Sequence, residues 1–382
     1  MNPVKKARSK ILADIEKNVT RAFGLARDAA PGAETKNTIA NVRKALKIAP
    51  IAPSILGTRF LNWKKPFILH HWVTLRCNCS CESCLWKDNR AEEMATDEVL
   101  KFHRECAEEG IVAMLMGGGE PLLRKDTPEI FRHAKRELGW KIGTATNGFF
   151  LEDRIEEYGD YIDATLVSID SAKPEKHDAI RGVPGLFDRI VRGIERIKRD
   201  YPFIHVQINT CVDDNSVDEL MDIVELAGEL DVPISLDVIT TGQNVAGEDC
   251  TDRKSHMIGS YERISEALHE ALEAKRNGAR IFNSENYLTS FDGGKKPYTC
   301  RYPRIFLRVM SNGDVEDCLR VGDPIGNVRT TPLKEILKSD RMRTLQKKAE
   351  KCYICSSPAM FECSNIWTRP LELLNPNSTL IG

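Results

Sequence analysis

The chain of 382 residues predicts an α/β protein with a parallel barrel or partial barrel, and three observations point there. Strand-like and helix-like stretches alternate from Phe67 to about residue 239, giving six strands with helices between them. A loop that packs four thiols into the eight residues 77–84 follows the first of these strands. Glycine- and asparagine-bearing turns follow the next two, at the strand ends where such barrels place their sites.

Before the barrel, residues 3–28 set Val4, Ile11, Ile15, Val19, Phe23 and Ala26 at steps of three, four or seven. Lys5, Lys6, Lys10, Lys17 and Arg21 fall between them, so this stretch reads as an amphipathic basic helix. Ala30-Pro31-Gly32 ends it, and a second helix is expected over about 36–48. The apolar run Ile48–Gly57 carries two prolines that deny it a continuous helix. Residues 1–66 hold fourteen Lys or Arg against four Asp or Glu, although the whole chain sums to −1. Two readings of this basic end stand side by side. Its apolar stripes pack on the catalytic domain, or they dock on anionic lipid headgroups as a peripheral membrane contact. No aromatic stacking platform interleaves the lysines, so nucleic acid is not an expected partner.

From Phe67 the elements follow in order. A strand over Phe67–Leu75 is succeeded by a helix capped by Thr96 and stopped near Gly110. Strands are expected at 111–116, 141–145, 163–169, 204–211 and 233–239, and helices at 126–137, 151–158, 186–199, 216–229 and about 259–277. A strand at 305–310, the turn Ser311-Asn312-Gly313-Asp314, a second strand and a helix over 332–349 complete the pattern.

An apolar content of 41% with 29% charged residues is that of an ordinary globular protein. The twelve cysteines gather mainly at 77–84 and 300–363 instead of forming an even framework. That distribution favours metal ligation in a reducing cytoplasm over disulfides. Cys106, Cys211 and Cys250 read as ordinary thiols. No stretch approaches the roughly 18–20 apolar residues of a membrane span, and the lysine-rich start lacks an apolar signal core, so a cytoplasmic protein is expected.

Cys77, Cys81 and Cys84 have the spacing C-x3-C-x2-C, three thiolates for one cluster without an obvious fourth ligand nearby. An iron left with an open position can bind a substrate. A structural zinc site would need a fourth ligand, for which Cys79, or His70 and His71, are the candidates. The three-cysteine spacing resembles that of the radical S-adenosylmethionine (radical SAM) superfamily. The resemblance implies a partial (β/α)6 TIM-like barrel over about residues 66–285 and a [4Fe-4S] cluster whose unligated iron takes the amino and carboxylate groups of SAM. It implies one-electron reduction by a flavodoxin- or ferredoxin-type donor, cleavage of SAM to a 5'-deoxyadenosyl radical, and hydrogen abstraction from an unactivated C–H bond. Ser83 stands where the family usually has an aromatic residue near the adenine, with Leu85 or Trp86 as substitutes.

Further contacts follow from the same resemblance. Gly117-Gly118-Gly119-Glu120-Pro121 resembles the segment that holds the SAM amino group; by itself it is a glycine turn after a strand, next to a carboxylate able to meet an ammonium. Asn147, in Thr146-Asn147-Gly148, is a cofactor candidate in what is also a common turn. Ser168 and Asp170 share one side of a strand and match the ribose position, while helix capping by Asp170 or Ser171 is the plainer reading. Arg181 resembles the arginine that meets the SAM carboxylate. Asn209 is a polar residue on an otherwise apolar strand.

The second cysteine set, with Gly313 five residues before Cys318, resembles the SPASM/twitch group. That resemblance implies one auxiliary [4Fe-4S] cluster on Cys300, Cys318, Cys352 and Cys355, with Cys363 left over. A four-cysteine structural zinc is the rival. The expected domains are a basic helical extension (1–65), the barrel (66–285), the auxiliary-cluster domain (286–363) and a tail (364–382). The basic extension favours a lipid-like, membrane-proximal substrate; a peptide or protein substrate is the alternative.

Overall fold

The computed structural model describes residues 64–81, 84, 87–239, 261–292, 299–316, 323–352 and 357–368. The expected helices at 3–28 and 36–48, and Cys250, Cys318, Cys355, Ser83, Leu85 and Trp86, lie outside them. Six parallel strands form the barrel wall: β1 (Ile68–Thr74), β2 (Ala113–Gly118), β3 (Lys141–Thr146), β4 (Ala164–Ser168), β5 (His205–Val212) and β6 (Ile234–Val238). Between them run α1 (Thr96–Glu108), α2 (Thr127–Arg132), α3 (Leu151–Tyr158), α4 (Pro174–Arg181), α5 (Leu186–Asp200) and α6 (Leu220–Glu229), and α7 (Tyr261–Arg276) follows β6. The sheet is not closed. Beyond β1 it continues into β7 (Phe306–Val309), parallel to β1, and then into the antiparallel β8 (Asp314–Val315) and β9 (Gly326–Asn327).

Strand alternation sorts the side chains into two layers. Leu69, His71 and Val73 of β1, Met114 and Met116 of β2, and Val206 and Ile208 of β5 are buried on the outer, helix-covered face. Full burial of each such aliphatic side chain stabilises the fold by roughly 1.5–3 kcal/mol. The opposite face carries Leu115, Gly143, Ala145, Leu166 and Ser168, all only half-buried. The inner face therefore carries small groups on β3 and at the end of β4, next to the larger Leu115 and Leu166.

The edge at β6 is covered by the backbone of residues 280–282, through Ile234 N to Arg280 O and Phe282 N to Ile234 O, and beyond it by side chains, because an uncovered edge strand would leave its backbone groups unpaired. The Asn283 amide accepts from Leu236 N at 2.8 Å and donates to Leu236 O at 2.9 Å. Val238 N donates to the Tyr287 hydroxyl of α8 (Glu285–Leu288) at 3.1 Å. The short α9 (Tyr302–Ile305) leads into β7, and α10 (Leu333–Lys338), α11 (Asp340–Ala349) and α12 (Pro358–Thr368) finish the chain.

Several boundaries differ from those expected. The helix over 332–349 is two helices, because the Ser339 hydroxyl accepts from Met342 N at 3.2 Å and caps a new start. Thr96 does not cap α1. Ala95 occupies that position, its N–H bonded to the Glu98 carboxylate at 2.8 Å, while the Thr96 hydroxyl donates to Asp126. The expected tail boundary at 364 falls inside α12, where Ser364 and Asn365 are fully buried by contacts with the 284–301 region.

Candidate active site

The loop after β1 is tied to the ends of β2 and β3 and to the end of α4. Gly119 N donates to Thr74 O and Glu120 N to Arg76 O, each at 2.8 Å. A Cβ on Gly118 would stand 2.0 Å from Thr74 O, and one on Gly119 2.1 Å from Arg76 O. These glycines let the end of β2 press against the chain's own cysteine loop; φ at Gly118 is +127°, a further reason for glycine there. On the other side Ser80 N donates to Arg181 O at 2.9 Å, and a Cβ on Gly182 would meet the Ser80 hydroxyl at 2.4 Å.

Within this frame Cys77, Cys79 and Cys81 come together, with Cys79 almost wholly buried. Asn147 Nδ2 donates to Asn78 Oδ1 at 2.8 Å and lies 3.7 Å from Cys77 Sγ, while Arg181 Nη1 lies 3.9 Å from Cys81 Sγ. Hydrogen bonding from the Cys79 thiol, working against burial, lowers both the Cys77 and Cys81 thiols to about 6. Cys84 N bonds Cys81 O at 3.3 Å, so the third cysteine follows within the same turn. Thiolates are the form that binds iron, and all the donors offered here are sulfur.

His70 and His71 cannot both face these thiols, because successive strand residues face opposite ways. His71 Nδ1 meets His103 Nε2 at 3.0 Å on the helix side. On the inner face His70 Nε2 accepts from Trp72 Nε1 at 2.8 Å, so its Nδ1 carries the proton toward the Tyr302 hydroxyl 3.1 Å away.

Glu120 is fully buried, and its carboxylate accepts from Leu122 N, Thr146 Oγ1 and Asn147 N at 2.7–3.0 Å. Burial pushes its pKa up to about 7 against these bonds. The carboxylate thus clamps the β2 and β3 loops together and fixes Asn147 beside Cys77. Asp170 is likewise committed: Oδ2 pairs with Arg181 Nη2 at 2.5 Å and Oδ1 accepts from Cys211 N at 3.0 Å. Ser168 and Asn209, register partners across the β4–β5 pair, stand half-buried on the inner face just below.

The profile of the Radical SAM superfamily matches residues 73–227, and that of SPASM, an iron–sulfur cluster-binding domain, matches 300–357. The AdoMet-dependent heme synthase of Methanosarcina barkeri is 30% identical over 318 residues, covering 76% of this chain and 88% of its own. The chain belongs to the radical SAM superfamily. A GTP 3',8-cyclase of Clostridium perfringens is 25% identical over 259 residues, covering 65% of this chain and 75% of its own. Among solved structures, Streptococcus suis SuiB bound to precursor peptide SuiA superposes with a TM-score of 0.59 at 17% identity, over 79% of this chain and 71% of that one. The structure of anSMEcpe with bound AdoMet also gives 0.59, at 18% identity, over 75% and 84%. These two likenesses concern the fold. The cofactors of this radical SAM enzyme are SAM, its [4Fe-4S] cluster and an auxiliary cluster in the SPASM region.

In that region Cys300 is buried and Cys352 half-buried. Among the described residues no three Cys, His, Asp or Glu side chains close on a single metal ion. No helix among them is long and apolar enough to cross a membrane.

One inner-face residue escaped the sequence reading. Asp237 on β6 stands opposite Cys211 in the register, and no hydrogen bond or ion pair reaches its carboxyl from the described residues. Burial raises its pKa to about 7. A lone aspartate in Ile234–Val238 was the available signal. A folded pKa above the unfolded value means the folded state binds the extra proton, so stability falls as pH rises from about 4 to 7. Asp237→Asn is therefore expected to gain about 2 kcal/mol over the parent between pH 5.5 and pH 8. Thermal melts of both proteins at the two pH values measure it, and an equal difference at both would mean that Asp237 titrates normally.

Proposed function

We propose that this radical SAM enzyme abstracts hydrogen from a C–H bond of a peptide, or another amide- or amine-bearing substrate, seated on the inner face of the partial barrel. Cys77, Cys81 and Cys84 would hold the cluster, which with SAM would supply the 5'-deoxyadenosyl radical. Asn147 and Arg181 donate toward the cysteine sulfurs and bias their electronics. The Gly117–Glu120 segment, Ser168, Asp170, Arg181 and Asn209 line the SAM position.

The observation that carries the substrate class is the pair of carboxyls at the mouth. Cys211 pairs with Asp237 in the register and donates its N–H to Asp170, so the two carboxyls flank one strand. Arg181, the cation beside them, is already paired with Asp170. An N–H or ammonium group suits the remaining carboxyl, whereas the carboxylates of heme or the phosphates of GTP call for cations at that point. The lipid-like substrate expected from the basic extension rests on residues nearly all outside the described ones, and the comparisons add nothing to it.

The test is substrate-dependent SAM cleavage by the reconstituted, reduced enzyme. A synthetic peptide library is expected to raise 5'-deoxyadenosine above its slow basal rate and, when deuterated, to pass deuterium into it. Stimulation by GTP, an iron porphyrin or archaeal-type lipid vesicles in place of peptides would overturn the assignment.

A further inference from the structure

The cysteine loop is held from behind as well as from the barrel. Residues 88–94 return along it and bond every residue of the lead-in to the cluster motif, Thr74 to Cys77. Asp88 N donates to Leu75 O, and Cys77 N donates to Asn89 Oδ1, each at 3.0 Å. The Glu93 carboxylate takes the Arg76 guanidinium in a two-point pair, at 2.7 and 3.0 Å, and also accepts from the Thr74 hydroxyl. Thr74 O and Arg76 O are the acceptors for Gly119 N and Glu120 N. Glu93 therefore fixes, from the rear, the stretch of chain against which the glycine segment is pressed.

The far side of the same strap is tied to the SPASM region. At the turn between β7 and β8, Met94 N donates to Ser311 O at 2.7 Å and the Ser311 hydroxyl donates to Glu92 O at 2.8 Å. Arg329, just beyond β9, pairs with the carboxylates of Glu92 and of Glu98 on α1. The turn is itself stiffened, because Asn327 Nδ2 donates to Asn312 O at 3.2 Å and to Asp314 Oδ1 at 2.8 Å.

We propose that Glu93 is a positioning residue for the radical chemistry, the link through which the β7–β8 turn of the SPASM region holds the cysteine loop in its working geometry. The role is independent of which substrate the barrel takes. A two-point pair with arginine fixes direction as well as distance, and groups behind the ligands of a metal centre orient those ligands and tune the centre. Arg124 completes the arrangement: its Nη1 donates to Val73 O and Met94 O at 2.9 and 3.2 Å, joining the strand end to the strap, and Asp126 neutralises it. Charge balance does not require Glu93. Arg124 keeps Asp126 without it, and Arg76, at 41% exposure, can turn to water.

Variants of the full chain, reconstituted anaerobically, decide it by iron analysis, SAM titration calorimetry and electron paramagnetic resonance. Glu93→Ala is expected to keep the parent's iron and to weaken SAM binding about tenfold. The midpoint potential and the SAM-induced signal of the N-terminal cluster should shift, while the auxiliary signal stays as in the parent. Glu93→Gln keeps an acceptor for the Thr74 hydroxyl and for one Arg76 donor, so it should recover part of the affinity. Ser311→Ala with Arg329→Ala, made wholly within the SPASM region, is expected to weaken SAM binding about fivefold. Adding Glu93→Ala to that pair should weaken it no further than Glu93→Ala alone, because the changes lie on one path. Parent-like SAM affinity and potential in Glu93→Ala, with only a lower melting temperature, would overturn the positioning role. Losses that add in the triple variant would overturn the link and leave the turn to act through the β1–β7 pairing.

Discussion

Replacing Cys77, Cys81 and Cys84 together by alanine is expected to remove about four of about eight iron atoms per chain and to abolish 5'-deoxyadenosine formation. The three thiols are the protein ligands that the spacing provides, and hydrogen bonding from the Cys79 thiol lowers two of them, Cys77 and Cys81. The auxiliary cluster is bound by separate segments and should survive, which makes half-loading the diagnostic value. Iron and sulfide analysis with chromatography of the nucleosides measures both effects. Retention of 5'-deoxyadenosine formation by the triple variant would remove this loop from the chemistry.

The loop was legible in the sequence because four thiols in eight residues have few other uses, and the barrel was legible because strand and helix periods alternate cleanly. What spacing could not give was which partner each polar group would choose. Glu120 was expected to meet an ammonium, and the chain itself brings it three donors, Leu122 N from its own turn and Thr146 Oγ1 and Asn147 N from the end of β3. The glycines before it were expected to admit a ligand, and they admit the Thr74–Arg76 backbone first. Helix α12 was missed because Glu362, Ser364 and Asn365 break an apolar stripe; they are buried only through contacts more than sixty residues away in the chain. Asp237 was passed over since its strand reads as plain core. Each miss is a tertiary fact placed on an unremarkable local pattern.

The ion pair of Asp170 with Arg181 carries the other large expected effect. Both side chains are mostly shielded from water, at 6% and 14% exposure, so removing one leaves the other as an uncompensated charge. Asp170→Ala also strips the acceptor from Cys211 N. A loss of about 3–5 kcal/mol in stability is expected, together with weaker SAM binding, because Arg181 then loses the anchor that aims it between Cys81 and the β4 end. Asp170→Asn keeps the acceptor for Cys211 N and loses only the charge, so it should lie between parent and alanine variant in melting temperature. The double change Asp170→Ala with Arg181→Met removes both charges at similar volume and is expected to regain most of the stability while SAM binding stays weak. Denaturant melts and SAM titration by calorimetry separate the two effects. Parent-like SAM affinity in the double variant would make the pair a strut of the fold, and parent-like stability in Asp170→Ala would mean that Arg181 finds water or another acceptor as soon as Asp170 is gone.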